Sequence, residues 1–235
     1  IPGLIITGSF AAPLAMAVFF FECNQLQNIS LYLVLKLFVW GGILGIVLSL
    51  VLFEVDWPTA LFGASAAALI EEPGKLAAVI LLAHRSRYPW TLNGLCFGAA
   101  VGAGFAAFES AGYALSIALT QGTDAMHENL FVRGFLSPFA HVVWTAIAAA
   151  ALWRVSRGGP LTMGSFRNWR FLSPFLLVVA LHFIWNSTFL DGIPFFGKYL
   201  LLGAVAWMVA FGFLFGGFRE VSKGQLPAPT PMAKT

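Results

Sequence analysis

The chain of 235 residues is 59% hydrophobic and only 10% charged, with a mean hydropathy of +0.85. A soluble globular domain carries about 25% charged residues, so this balance excludes one and indicates a polytopic membrane protein. The net charge of +3 does not indicate a nucleic-acid partner, because the basic residues lie in short connections between apolar runs and form no stripe.

A bilayer core needs about 20 apolar residues per helix. On that ruler seven spans are predicted: Pro2 to Phe21, Leu31 to Phe53, Ala60 to Ala83, Leu92 to Leu119, Leu136 to Trp153, Phe171 to Leu190 and Tyr199 to Phe218. The expected fold is an all-α polytopic bundle of about seven transmembrane helices, forming one domain over residues 1–220. Residues 221–235, with Pro227, Pro229 and Pro231, read as a disordered cytoplasmic tail. Cys23 and Cys96 stand far apart at the edges of apolar runs, without disulfide or zinc-knuckle spacing, and read as packing residues.

The connections carry the orientation. Arg85 and Arg87 follow the third span, Arg154, Arg157, Arg167 and Arg170 follow the fifth, and Arg219 and Lys223 follow the seventh. The intervening connections, around Glu54 to Asp56, Asp124 to Arg133 and Asp191, are acidic or nearly neutral. Cytoplasmic loops concentrate Lys and Arg, so the C-terminus is expected in the cytoplasm. The connection from Glu22 to Ser30 should then also be cytoplasmic, yet it carries neither Lys nor Arg.

The ionisable residues inside the spans are Lys36, Glu71, Glu72, Lys75, Glu109, His141 and His182. Lys36 lies near a span end, where its long stem reaches the interface. A carboxylate at mid-depth costs about 2.5–3.5 kcal/mol, so Glu71, Glu72 and Glu109 each need a partner. Lys75 is four residues from Glu71 and three from Glu72, within helical reach of both. That pattern reads either as an ion pair locking two helices or as one wall of a polar pocket. One lysine cannot neutralise two carboxylates, so the second is protonated or faces another cation. Pro73-Gly74 should interrupt the helix and free carbonyls, which favours the pocket.

Glu109 follows Gly98, Gly102 and Gly104, whose small size permits close helix approach. Packing explains the glycines but not a buried carboxylate, which needs a donor, a proton or a metal. His141 opens the fifth span. His182 lies mid-span with Asn186 one turn on, on the same face. Given the expected orientation, these residues fall in the central to outer half of the bilayer.

Glu71-Glu72-x-x-Lys75, Phe105-x-x-x-Glu109, His141 and His182-x-x-x-Asn186 come from four successive spans. Together they resemble the PrsW family of intramembrane proteases, relatives of the CAAX prenyl endopeptidases and the Abi group. Glu109 replaces the His that closes the second CAAX motif, and Lys75 gives EExxK rather than EExxxR; both features fit the PrsW branch. The resemblance covers Leu61 to Asn186. It implies an intramembrane peptidase of the bacterial inner membrane, acting on a single-span or otherwise membrane-anchored protein such as an anti-sigma factor. It further implies one divalent metal, zinc by preference, held by Glu109, His141 and His182 with a position open to water. Glu71 or Glu72 would then be the general base, Lys75 would fix its charge state, and Asn186 would bind the oxyanion or orient His182. Three alternatives stay open: a metal-free mechanism in which a carboxylate activates water, a proton- or cation-coupled transporter, and a catalytically silent binding or immunity protein on the same scaffold.

Overall fold

The computed structural model describes residues 1–85, 87–194 and 196–224, and no strand occurs among them. The helices are α1 (Pro2–Glu22), α2 (Leu31–Lys36), α3 (Gly42–Phe53), α4 (Asp56–Phe62), α5 (Ala67–Ala83), α6 (Thr91–Thr120), α7 (Thr123–Leu136), α8 (His141–Ser156), α9 (Met163–Arg167), α10 (Trp169–Asn186) and α11 (Gly197–Ser222). Among the described residues, six segments are long and apolar enough to cross a membrane. Of the expected tail, Val221 and Ser222 complete α11, and residues 225–235 lie outside the described residues.

The predicted third span is the one that differs. It is divided at Gly63, whose φ of 55° and ψ of −133° are open in practice only to glycine. A 3₁₀ turn over Gly63–Ala66 then leads into α5. The interruption expected at Pro73-Gly74 is absent, and α5 is continuous through both residues. Proline removes one amide, and the packing of buried Ile70, Leu76 and Val79 keeps the helix intact around it. Gly74 serves a different purpose: a Cβ there would come within 2.6 Å of Ser49 Oγ, so its absence lets α3 lie directly on α5.

Helices α6 and α8 form the centre. Every residue from Thr91 to Ala107 is buried, as is every residue from Val142 to Trp153. Their backbones touch, since a Cβ on Gly98 would overlap the Thr145 carbonyl and one on Gly102 the His141 carbonyl. That antiparallel contact fixes the height of His141, the first residue of α8. On the opposite side, Gly104 receives the Phe38 carbonyl, which lies in the π-helical turn Leu37–Gly41 joining α2 to α3. The outer helices turn apolar side chains outward, including Val47, Leu50 and Val51 of α3 and Met208 and Phe215 of α11. Such a surface suits lipid rather than water.

The predicted connection from Asp124 to Arg133 is instead helical, as part of α7. Met126 and Leu130 pack with Ile5 and Ala114 in a small separate core, so α7 folds back along the C-terminal half of α6. The 3₁₀ turn Ser137–Phe139 then delivers the chain to α8. Polar ties secure both ends of the bundle. Near the α10–α11 connection, the buried Lys198 donates to Asp191 Oδ1 at 2.6 Å and to the Ser187 carbonyl at 2.5 Å. At the other end, Thr91 donates through its amide and hydroxyl to the Glu220 carboxylate, a favourable charge at the N-terminus of α6. As a result, α5, α8 and α11 begin at the end of the bundle where α3, α6 and α10 finish.

Candidate active site

Glu71, Glu72 and Lys75 of α5, Glu109 of α6, His141 of α8, and His182 and Asn186 of α10 meet near that end. Their positions follow from the fold. The early break at Gly63 starts α5 close to the site, which puts Glu71 only about 6 Å along the helix at 1.5 Å per residue. The Gly102 contact sets His141, and Trp144, one turn further along α8, stacks on the His182 ring with centroids 4.7 Å apart.

The deepest unit is Glu72, Lys75 and His182, all almost completely buried. Lys75 Nζ donates to Glu72 Oε1 at 2.6 Å, and His182 Nδ1 lies 2.7 Å from the same oxygen. A carboxylate bound to an ammonium is an acceptor, so His182 Nδ1 carries the proton and its Nε2 keeps a lone pair. Asn186 Nδ2 donates to that lone pair at 3.2 Å. His141 has the opposite tautomer. Lys75 Nζ donates to His141 Nδ1 at 2.8 Å, so the proton resides on Nε2, which lies 3.1 Å from Glu109 Oε2. Each imidazole therefore has a carboxylate beside its N–H, an arrangement that orients metal-binding histidines.

Glu71 differs from both of these carboxylates in making no close polar contact. Its Oε2, like Glu72 Oε2, is buried without a hydrogen-bond partner, but where Glu72 Oε1 is held at 2.6 and 2.7 Å, the cationic or imidazole nitrogens near Glu71 Oε2, Lys75 Nζ and His182 Nε2, are each 3.9 Å away. Glu109 is instead engaged through Oε2 from outside the α5 cluster. Arg133 of α7 donates to Glu109 Oε2 at 2.5 Å and to Ser110 Oγ at 2.9 Å, with its guanidinium 4.6 Å from the Tyr113 ring centroid.

These groups border a cavity of about 880 Å³, walled by Glu71, Glu109, His141, His182 and Asn186 together with Arg133, Tyr113, Trp185 and Tyr199. Glu72 and Lys75 do not line it. Potential ligand atoms of Glu71, His141 and His182 lie within 4.8 Å of one another. Glu109, expected as a ligand with the two histidines, does not belong to that set, because α7 holds it against Arg133. Two imidazoles and a carboxylate are a suitable donor set for a catalytic divalent metal. With Glu71, Glu72 and Glu109 ionised against Lys75 and Arg133, the cluster is also one positive charge short, a deficit that a proton or a cation makes good. The residues present fit such an ion.

Arg133 and Trp144 are the participants that the sequence reading missed. Arg133 stands in a segment whose charge reads as a loop, and Trp144 in a run that reads as packing.

The family model described as PrsW family intramembrane metalloprotease matches residues 30–215. No curated protein and no solved structure matches.

Proposed function

The chain belongs to the PrsW family of intramembrane metalloproteases, matched over most of its length, and from that premise we propose that Glu71, His141 and His182 form its hydrolytic centre. The observation that carries the assignment is the convergence of these three side chains on the wall of one cavity, with Glu71 Oε2 unpartnered. They would hold one divalent cation, for which zinc suits the two-imidazole, one-carboxylate donor set. When bound, such an ion supplies a Lewis acid for the scissile carbonyl and acidifies water.

The remaining residues position these three. Glu72 keeps the His182 proton on Nδ1 and so presents Nε2 to the cavity. Glu109, held by Arg133, lies beside the Nε2–H of His141 in the same way. This reading makes Glu72 and Glu109 orienters rather than base and ligand. Asn186, on the cavity wall, is placed to donate to a carbonyl oxygen once its amide leaves His182. The substrate class is a membrane-anchored protein whose cleavage site unwinds into the cavity. An anti-sigma factor is the example suggested by the family likeness. The alternation of basic connections supports a site in the outer half of a bacterial inner membrane, with the C-terminus cytoplasmic.

A metal-free reading is favoured by one observation: both nitrogens of His141 already have neighbours, Lys75 at 2.8 Å and Glu109 at 3.1 Å. In that reading Glu71 takes the proton of the attacking water directly. The test is gel-resolved cleavage of a single-span substrate by reconstituted protein, together with elemental analysis. Glu71→Gln should reduce cleavage by roughly 10²–10⁴-fold without loss of fold, and His182→Ala should abolish it. Stoichiometric metal that disappears in His182→Ala supports the metal reading, whereas full activity in metal-free protein supports the other. Cleavage that survives both substitutions refutes the site.

A further inference from the structure

The three residues proposed to hold a divalent cation adjoin a cation that the protein itself provides. Lys75 is wholly buried, and its ammonium lies 2.6 Å from Glu72 Oε1, 2.8 Å from His141 Nδ1 and 3.9 Å from Glu71 Oε2. The Phe105 ring lies beneath it, 4.6 Å from Nζ to centroid. Two of these groups, His141 and Glu71, belong to the convergent set.

We propose that the Lys75 ammonium and a divalent metal are alternative occupants of His141, so that loading the site is a cation exchange and Lys75 sets the metal affinity. This rests on the assignment of Glu71, His141 and His182 as the metal-holding set. The exclusion follows from the valence of imidazole. A neutral ring has one N–H and one lone pair. While Lys75 donates to Nδ1, the lone pair is used and the proton is on Nε2. A metal on Nδ1 displaces the ammonium directly. A metal on Nε2 moves the proton to Nδ1, which can then no longer accept from Lys75. On either nitrogen, metal binding breaks the Lys75–His141 bond.

Nothing comparable obstructs the rest of the site. Lys75 keeps its 2.6 Å bond to Glu72, which is outside the convergent set and has no role in holding the ion. The bond from Asn186 to His182 Nε2 must also open, but it is a longer neutral contact at 3.2 Å, from a side chain that borders the cavity. The principal barrier to loading is therefore the ammonium, and its release from His141 need not disturb the Glu72–His182 pair. Lys75 is a positioning residue that holds His141 in its metal-free tautomer.

The experiment is a Co²⁺ titration of purified protein in detergent, followed by visible absorption and by chelator competition, on wild type, Lys75→Met, Lys75→Gln and His182→Ala. Lys75→Met should bind Co²⁺ about tenfold more tightly than wild type, reflecting one charge-assisted hydrogen bond removed from the competing state. Lys75→Gln retains a donor but no charge, so it should fall between the two, and it decides the matter if the Met variant does not fold. In metal-free wild type, ¹⁵N-labelled His141 should show an unprotonated Nδ1 and a protonated Nε2. Unchanged or weaker Co²⁺ binding in the folded Lys75 variants, or a protonated Nδ1 in the metal-free protein, overturns the exchange while leaving the site intact. A Co²⁺ spectrum that persists unchanged in His182→Ala refutes the metal-holding set itself.

Discussion

Glu72 Oε1 accepts from Lys75 at 2.6 Å and from His182 at 2.7 Å, and the residue is buried. Removing one member of a buried charged unit leaves the others uncompensated, at a cost of about 3–5 kcal/mol. Glu72→Gln should therefore lower unfolding stability in detergent by that order. It should also reduce cleavage about 10–100-fold, since an outer partner that orients a ligand has that weight. Glu71→Gln should leave stability nearly unchanged, because Glu71 accepts no hydrogen bond that the substitution would remove. Equal destabilisation by the two changes would contradict the division between a buried orienter, Glu72, and a carboxylate of the cavity wall, Glu71. Of the ionisable residues singled out in the spans, Glu71, Glu72, Lys75, Glu109, His141 and His182 gather with Asn186 around one region, because each is too costly in hydrocarbon to stand there without a partner, whereas Lys36 near a span end is exposed. The pairs within one helix, Lys75 with Glu72 and His182 with Asn186, were legible from their spacing, and those between helices were not. The tautomers of His141 and His182 depend on α5 residues that are distant in sequence, and Glu109 is claimed by Arg133 of a helix that reads as a loop.

Gly74 shows how a local signal misleads at the scale of an element. Pro73-Gly74 is the strongest helix-breaking pair in the apolar runs, yet α5 passes through it, and the break falls at Gly63 within the unremarkable stretch Gly63-Ala64-Ser65-Ala66. The reason lies in packing: Gly74 is needed where α3 crosses α5, whereas Gly63 is needed for its backbone angles. Gly74→Ala would drive a methyl group against Ser49 Oγ and should destabilise the protein by about 1–3 kcal/mol. Ser49→Gly in the same chain should recover most of that loss, as read from thermal unfolding of the two single variants and the double. Failure of the second change to rescue the first would show that the glycine is required for helix conformation rather than for the crossing. The other elements were easier to anticipate, since uninterrupted apolar length alone specifies α1, α6, α10 and α11 to within a few residues at most ends.

Across the whole molecule, helix direction and loop charge together make an orientation test. Gln121 follows α6 at the end of the bundle nearer the site, and Ser222 lies at the other end, after the basic Arg219. With Cys23 and Cys96 replaced, a cysteine at Gln121 should react with a membrane-impermeant maleimide in intact cells, and one at Ser222 only after lysis. The reverse pattern would place the cavity on the cytoplasmic side. The bundle itself was legible from composition, whereas the burial of α6 and α8 on all sides was not, because a Gly- and Ala-rich helix is as apolar facing lipid as facing protein. The interruption at Gly63 has a consequence for the surrounding membrane. It leaves α5 as 17 residues, about 25 Å at 1.5 Å per residue, against a hydrocarbon thickness of about 30 Å. This hydrophobic mismatch favours local thinning of the bilayer beside α5, on the flank where Leu69 and Leu81 face outward. A pinched leaflet there shortens the distance between the aqueous boundary and Glu71, and so eases the delivery of the water that hydrolysis consumes.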